Sequence, residues 1–283
     1  RLGEPPVPWA WLALGSAARR EQALATDQDH ALAYDAQDRP VEDVDPYFAE
    51  LAEFVTEGLE SAGIPRCKGD AMAANPAMRR SVQGWIDALH GWMRDLGRSG
   101  SILSSIVYDF RRVTGPLDPE PELDATILEA RNDLGFLAHL AHRALDHRAP
   151  TGFLRDLVVE RKGEHVGRLD VKHGGITIIG SIARLEGIRA GIPAKGTLDR
   201  LAGATALGDL DKAMSGELSE AFRFLWEVRL RHQADQVRRG ETPDDFVDPA
   251  TLGPVTRRGL KESFSVISRA QRMLAGEFGI RLP

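Results

Sequence analysis

Hydrophobic residues in the first part of the chain form short apolar runs. Between these runs, hydrophobic residues recur every three or four positions, the spacing of one face of a helix. The run WAWLAL at 9–14 ends at Gly15, which predicts a buried strand followed by a tight turn. HALAY at 30–34 predicts a second strand, and ILSSIVYDF at 102–110, rich in β-branched and aromatic residues, predicts a third. Helix-forming residues or apolar positions three and four apart predict helices at 17–25, 48–59 and 82–93.

A loop rich in proline and acidic residues at 114–124 marks a change to helical periodicity. Four amphipathic stripes follow, and each needs the others to bury its apolar face, so we predict a helical bundle. The stretch 153–171 interrupts them and predicts a hairpin. The predicted fold class is α+β, with a mixed-sheet domain at 1–116 followed by an all-α bundle at 117–283. The four stripes lie at 134–145, 178–188, 218–228 and 260–274.

Composition and charge narrow the possible partners. The 283 residues include 36 Lys and Arg against 42 Asp and Glu, which gives a net charge of −6. Because the basic residues are interleaved with acidic ones, we do not expect sequence-specific nucleic-acid binding. No apolar run is long enough for a bilayer span, so no membrane partner is expected. The single cysteine, Cys67, excludes an intrachain disulfide and favours a cytoplasmic location, and we interpret it as a small packed residue.

A candidate site for nucleotide and metal follows the first predicted strand. The turn at Gly15 and Ser16 opens a predicted helix, where backbone N–H groups favour an anion, and Arg19 adds positive charge one turn later. Asp27 and Asp29 project to the same face at the start of the second strand. Two adjacent carboxylates repel each other unless a cation lies between them, and Mg²⁺ prefers carboxylates combined with substrate phosphates.

A third carboxylate is supplied by Asp109, at the end of an otherwise apolar predicted strand, where an unpaired charge is costly. In a two-metal site, Asp109 would hold the metal that binds the acceptor hydroxyl or accept its proton. Arg111 either reaches a phosphate or balances the neighbouring carboxylate. A Gly-Ser turn alone is explained about as well by a structural turn, and an Asp-x-Asp sequence alone is usually a solvated turn. The ordered set of strands and aspartates is what predicts the site.

These residues also carry a resemblance to a known family. The segment GSAARREQALATDQDHALAYD at 15–35 resembles the nucleotidyltransferase motif of the signal-transduction nucleotidyltransferases once called DUF294. That group is related to the N-terminal domain of the protein-PII uridylyltransferase and to the glutamine synthetase adenylyltransferase. RCKGDAMA at 66–73 departs from the family pattern, which usually has a Pro-Gly-Gly type of loop there. Further similar segments, at 69–85, 108–115, 169–192 and 229–252, extend the resemblance over nearly the whole chain.

The resemblance implies a polymerase β-like fold, metal-dependent transfer of a nucleoside monophosphate and a helical substrate-binding domain. By motif position, Gly15 and Ser16 would bind the triphosphate of an NTP. Asp27 and Asp29 would hold Mg²⁺ or Mn²⁺, with Asp109 as the third carboxylate. The acceptor would be a hydroxyl group on a protein, such as a PII-like regulator, or on a small molecule. Family members often carry upstream cyclic-nucleotide-binding or CBS domains, so we expect such domains before Arg1.

Three functions remain open on the sequence. An active nucleotidyltransferase explains the full carboxylate set. A module that binds NTP and metal without turnover, and reports this to upstream domains, uses the same residues. A plain protein-interaction bundle leaves the three aspartates unexplained. The base of the nucleotide and the identity of the acceptor are not encoded in residue spacing.

Overall fold

A computed structural model describes residues 2–95, 106–150 and 157–282, which form two compact units. The first unit comprises Arg1–Gln22 and Thr26–Arg131, and the second comprises Ala23–Ala25 and Asn132–Pro283. The division along the chain therefore falls later than the predicted boundary between residues 116 and 117. Within the described residues, no helix has both the length and the apolar character needed to cross a membrane.

The first unit is built on a four-stranded mixed sheet with the order β3-β2-β1-β4. Its strands are β1 (Trp9–Leu14), β2 (His30–Tyr34), β3 (Arg79–Ser81) and β4 (Phe110–Thr114). The central strand β1 is antiparallel to both β2 and β4, whereas β2 and β3 are parallel. A strand covered on both faces needs apolar residues at successive positions, which explains the uninterrupted WAWLAL run.

Helices of the first unit are α1 (Gly15–Ala18), α2 (Val41–Ser61), α3 (Val82–Arg94) and α4 (Glu120–Glu129). A short 3₁₀ turn, Pro76–Met78, leads into β3. Helix α2 covers one face of the sheet with side chains spaced along a single stripe, and Tyr34 stacks on Phe48 at a ring separation of 5.0 Å. The buried cluster on this face is formed by Val7, Trp11, Leu32, Tyr34, Val44, Phe48, Ala52 and Ala73.

Three local predictions in this unit are wrong, each for a visible reason. The helix predicted at 17–25 is only α1, because Arg20, the residue after its C-cap, adopts a left-handed conformation (φ 59°). The third strand starts at Phe110 rather than ending there, since Asp109 closes a turn onto the carbonyl of Ile106. Residues 102–105 of that prediction lie outside the described part. The predicted loop at 114–124 contains the start of α4, where acidic residues in the first turn favour a helix.

The second unit is helical and confirms the four predicted stripes. Its long helices pack side by side around Leu225, Phe264 and Ile267, all fully buried. An additional helix at Thr197–Leu207 was not predicted. The helices are α5 (Leu134–Leu145), α6 (Thr177–Arg189), α7 (Thr197–Leu207), α8 (Lys212–Arg238) and α9 (Pro254–Glu277).

A small two-stranded ladder qualifies the prediction of an all-α second domain. Strand β5 (Leu169–Asp170) pairs antiparallel with β6 (Phe246–Val247). The predicted hairpin at 153–171 is only partly present in the described residues, because Glu160 bonds with Gly167 and Arg168 across a turn, but β5 then pairs with β6. Residues 153–156 of that prediction lie outside the described part. A mixed sheet followed by helices nevertheless confirms the α+β class.

Candidate active site

The end of β1 brings together the backbones of two predicted site residues. The N–H of Leu14 donates to the carbonyl of Asp29 at 3.0 Å, and the N–H of Gly15 donates to the carbonyl of Asp109 at 2.8 Å. Asp29 immediately precedes β2 and Asp109 immediately precedes β4, the two strands on either side of β1. The topology thus places the predicted turn and both carboxylate-bearing segments at one edge of the sheet.

Side chains of residues 27–30 point alternately to opposite sides of the extended chain, and this sets the direction of the two aspartates. Gln28 is buried, and its side-chain amide donates to the carbonyls of Thr56 at 3.1 Å and Ile64 at 2.9 Å. Because neighbouring residues of an extended chain face opposite sides, this anchor directs Asp27 and Asp29 away from the buried side. Both aspartates are half-buried.

His30 is also buried and is hydrogen-bonded to Gln28. Its Nε2 lies 3.1 Å from Oε1 of Gln28, and its Nδ1 accepts the N–H of Ala73 at 3.1 Å. An acceptor role for Nδ1 requires the proton on Nε2, so the imidazole is neutral and its tautomer is fixed. Burial lowers the pKa of His30 to about 4. The histidine therefore ties the strand start to the segment containing Ala73 without adding charge beside the carboxylates.

Three potential metal donors converge beside this anchor. One oxygen each from Asp27 and Asp29, together with Sγ of Cys67, all lie within 4.8 Å of one another. Cys67 reaches this position because Gln28 forms a parallel bridge with Arg66. Carboxylate oxygens suit Mg²⁺ or Mn²⁺, so the aspartate pair fits the predicted metal, whereas the thiol is not a typical ligand of either ion.

Cys67 is the site residue that the sequence analysis missed. We had interpreted it as a packed residue, but its half-buried thiol lies next to the aspartate pair. Burial, followed by the charge of Asp29 and a hydrogen bond to it, raises the pKa of the thiol to about 11. The only available signal was its position in RCKGDAMA, where the segment departs from the family pattern.

Asp109 has a different environment from the aspartate pair. Its side chain is fully buried, and Arg19 donates to its Oδ2 while also donating from Nε to Glu21 at 2.7 Å. Burial acts to lower the pKa of Arg19, but the carboxylates of Asp109 and Glu21 outweigh it and raise the pKa. Among the described residues, the three-donor group does not include Asp109, so its metal role remains a prediction.

The turn after β1 is tightly held. Gly15 has a φ of +53°, and a Cβ added there would lie 2.8 Å from Cγ1 of Ile106 and 3.8 Å from Oδ2 of Asp29. The next carbonyl, that of Ser16, accepts the N–H of Glu21 at 2.8 Å. The Gly15 N–H is bonded to Asp109, and α1 has only four residues, so its helix dipole is small and adds little to anion binding at this turn. Triphosphate binding by Gly15 and Ser16 remains a prediction.

Arg111 supports α1 in this structure. Its guanidinium donates to the carbonyls of Ala17 at 3.1 Å and Ala18 at 3.2 Å. These carbonyls are at the C-terminal end of α1, where helices leave acceptors without intrahelical partners. Phosphate binding by Arg111 likewise remains a prediction.

Comparison with known families agrees with this arrangement. A model described as "Putative nucleotidyltransferase DUF294" matches residues 1–98, and one described as "Putative nucleotidyltransferase substrate binding domain" matches residues 135–278. The chain belongs to the DUF294 family. This confirms the resemblance found in the sequence. A search of curated proteins gave no match.

Only part of the predicted site of this DUF294 protein lies within a matched stretch. Gly15, Ser16, Arg19 and the two adjacent aspartates lie within the nucleotidyltransferase match. Asp109 and Arg111 lie between the two stretches. Their place in the site is therefore supported by backbone bonding around Leu14 and Gly15 rather than by the family match.

Proposed function

We propose that this DUF294 protein transfers a nucleoside monophosphate from an NTP to a hydroxyl acceptor in a metal-dependent reaction. The observation that carries the proposal is the convergence of Asp27 and Asp29 beside the turn after β1, in a chain that matches both the nucleotidyltransferase and the substrate-binding models of the family. The adjacent carboxylates would hold Mg²⁺ or Mn²⁺. When bound, such an ion would activate the acceptor hydroxyl and neutralise charge on the leaving pyrophosphate.

The residues of the chain would prepare the reacting groups. The hydrogen bonds of Gln28 and His30 keep Asp27 and Asp29 at the start of β2 before any ligand arrives. In the transfer, a bond forms between the acceptor oxygen and the α-phosphorus, and the bond to the pyrophosphate oxygen breaks. The hydroxyl proton needs a nearby acceptor, and we assign this role to the carboxylate of Asp109.

Arg19 would have to change partners for Asp109 to take this role. In the present structure its guanidinium is bound to Asp109 and Glu21. A triphosphate next to the Gly15 turn would compete for that guanidinium, since arginine binds phosphate through charge-assisted hydrogen bonds. Nucleotide binding and release of Asp109 would then be coupled.

The second unit contains a cavity that suits an acceptor. Its volume is about 790 Å³, and it lies along the C-terminal half of α8 and the segment 246–256. Arg168, Arg231 and Arg239 line it together with apolar groups such as Phe246. Four acidic side chains line it as well, and Arg231 and Arg239 are ion-paired with two of them, Glu227 and Glu241. We propose that an acceptor with polar and apolar groups binds here. A PII-like regulatory protein and a small hydroxyl compound are the two acceptor classes to compare.

Pyrophosphate release tests the proposal. Each of the four NTPs would be supplied with Mg²⁺ or Mn²⁺ and candidate acceptors of both classes. The double variant Asp27→Asn/Asp29→Asn is expected to abolish release, whereas Asp38→Asn, an exposed aspartate away from the site, would leave it intact. Release by the double variant at the rate of the unmodified protein would overturn the proposal.

A second candidate function is NTP–metal sensing without turnover. The observation in its favour is the Arg19–Asp109 ion pair, which engages the third carboxylate, so that the donor group found in the described part of the chain consists of the aspartate pair and Cys67. Calorimetry distinguishes the two functions. Tight NTP binding in the presence of Mg²⁺, with no pyrophosphate released, identifies a sensor.

A further inference from the structure

The third donor in the aspartate site is a thiol, which is unusual chemistry for a magnesium site. Sγ of Cys67 and one oxygen each of Asp27 and Asp29 lie within 4.8 Å of one another. Mg²⁺ takes oxygen ligands almost entirely, whereas thiolates select softer cations such as Zn²⁺ and Cd²⁺. The same three side chains therefore offer a complete set of donors to a different class of ion.

Backbone structure holds the thiol at this position. Residues 65–66 run beside Gln28, whose N–H donates to the carbonyl of Pro65 at 3.0 Å and which bridges to Arg66. The carbonyl of Cys67 then accepts the N–H of Asp70 at 3.1 Å, which closes a turn immediately after the cysteine. Since the cysteine and the aspartates come from separate, mutually bonded segments, the donors are arranged before an ion binds.

We propose that Cys67 is the third protein ligand of a Zn²⁺- or Cd²⁺-binding site formed with Asp27 and Asp29. Three protein donors with a remaining open position are typical of non-structural zinc sites. On binding, the thiol proton is released to solvent and the sulfur forms a bond to the ion. This inference rests on the proposed function for the metal role of the aspartate pair, but it does not require nucleotide turnover.

A functional consequence follows for metal specificity. A thiophilic ion would occupy the same two carboxylates that the proposed function assigns to Mg²⁺ or Mn²⁺. Zn²⁺ and Mg²⁺ would therefore compete for one site, and excess Zn²⁺ would reduce Mg²⁺-dependent nucleotide transfer. Because of Cys67, Zn²⁺ would inhibit nucleotide transfer at this site more strongly than at a site with oxygen ligands alone.

Cadmium absorption tests the proposal directly. Sulfur-to-cadmium charge transfer gives an ultraviolet band, and Cys67 is the only cysteine in the 283 residues, so the band reports this position alone. Titration of the full chain with Cd²⁺ is expected to produce the band and saturate at one ion per chain. The expected result for Cys67→Ser is loss of the band and binding at least about tenfold weaker by calorimetry.

Carboxylate variants show whether the thiol and aspartates share the ion. Asp27→Asn/Asp29→Asn is expected to shift the midpoint of the cadmium titration to at least about tenfold higher concentration, because two of the three ligands are lost. Asp38→Asn, an exposed aspartate, serves as the matched control and is expected to keep the original midpoint. An unchanged midpoint in the double variant would show that the thiol binds Cd²⁺ without the aspartates, and would overturn the proposal.

Proton release gives an independent readout. Calorimetry in buffers of different ionisation enthalpy is expected to show one proton released per Cd²⁺ in the unmodified protein and none in Cys67→Ser. Absence of both the band and the proton release would contradict the metal site proposed for Cys67, even if Mg²⁺-dependent pyrophosphate release were observed. Conversely, a cadmium site shared by all three residues, without nucleotide transfer under any condition, would refute the proposed function alone.

Discussion

Arg19 donates a hydrogen bond from its guanidinium to Oδ2 of Asp109, a carboxylate with no solvent-exposed surface. The guanidinium also binds Glu21, so it forms ion pairs with two acids next to the turn after β1. This pair links the phosphate side of the predicted site to the third predicted carboxylate. We expect this pair to contribute to the stability of the first unit and to limit the availability of Asp109 for chemistry.

Loss of Arg19 is expected to destabilise the first unit strongly. Arg19→Met leaves the carboxylate of Asp109 buried without its guanidinium, which we expect to lower the free energy of unfolding by about 3–5 kcal/mol. The double variant Arg19→Met/Asp109→Asn should recover much of the loss, because the fully buried side chain at position 109 no longer carries a charge. Urea denaturation measures both. Arg239→Met, which removes an exposed pair with Glu241, is the control, and equal losses for Arg19→Met and this control would contradict the account.

Cys67 is expected to resist alkylation at neutral pH. Burial and Asp29 raise the pKa of the thiol to about 11, and only the thiolate reacts. Reaction with iodoacetamide should therefore be slow at pH 8 and accelerate as the pH approaches 11. Asp29→Asn should speed the reaction at pH 8, because it removes one cause of the raised pKa. Identical rates in Asp29→Asn and the exposed control Asp38→Asn would show that the carboxylate does not act on the thiol.

His30 is expected to make the protein less stable in mild acid. Its pKa is about 4 in the folded state and about 6.5 in an unfolded chain, so the unfolded chain binds more protons between these values. Stability contributed by neutral His30 is present above pH 6.5 and is lost as the pH falls towards 4, by about 3 kcal/mol in total. Unfolding free energies measured across this window should fall less steeply in His30→Asn. An equally steep fall in the variant would assign the effect to other groups.

Gly15 is expected to tolerate no side chain. In Gly15→Ala, the left-handed φ combines with a Cβ only 2.8 Å from Ile106, and we expect a loss of roughly 2 kcal/mol or more in unfolding free energy. Gly208→Ala is a matched control, since Gly208 has a φ of +84° but open space around its Cα. That control should lose only about 1 kcal/mol, the cost of the backbone conformation alone. Similar losses at both positions would show that contact with Ile106 is unimportant.

Regular periodicity made much of the fold predictable from sequence. The bounds of β1 and β2 match the apolar runs, and the helical stripes reappear as α2, α3, α5, α6, α8 and α9. Burial of one face imposes these patterns on the sequence, so they can be recognised without a structure. The prediction failed where a single backbone conformation decides the outcome, as at Arg20, whose left-handed φ ends α1 early.

The candidate site was predictable only in part, for a similar reason. Asp27 and Asp29 are close in sequence, so their shared direction follows from strand geometry. Cys67 joins them through pairing between residues far apart in the chain, which has no local sequence pattern. The pairing of Asp109 with Arg19 spans 90 residues and also depends on how the strands are ordered.

Manganese binding tests the central claim most directly, because Mn²⁺ can replace Mg²⁺ at oxygen ligands and its free form is measured by electron paramagnetic resonance. The unmodified chain should bind Mn²⁺ at the aspartate pair, and added NTP should tighten that binding. Asp27→Asn/Asp29→Asn should lose both effects, while Asp38→Asn retains them. Mn²⁺ and NTP binding that is unchanged in the double variant would contradict the claim that these two carboxylates hold the metal.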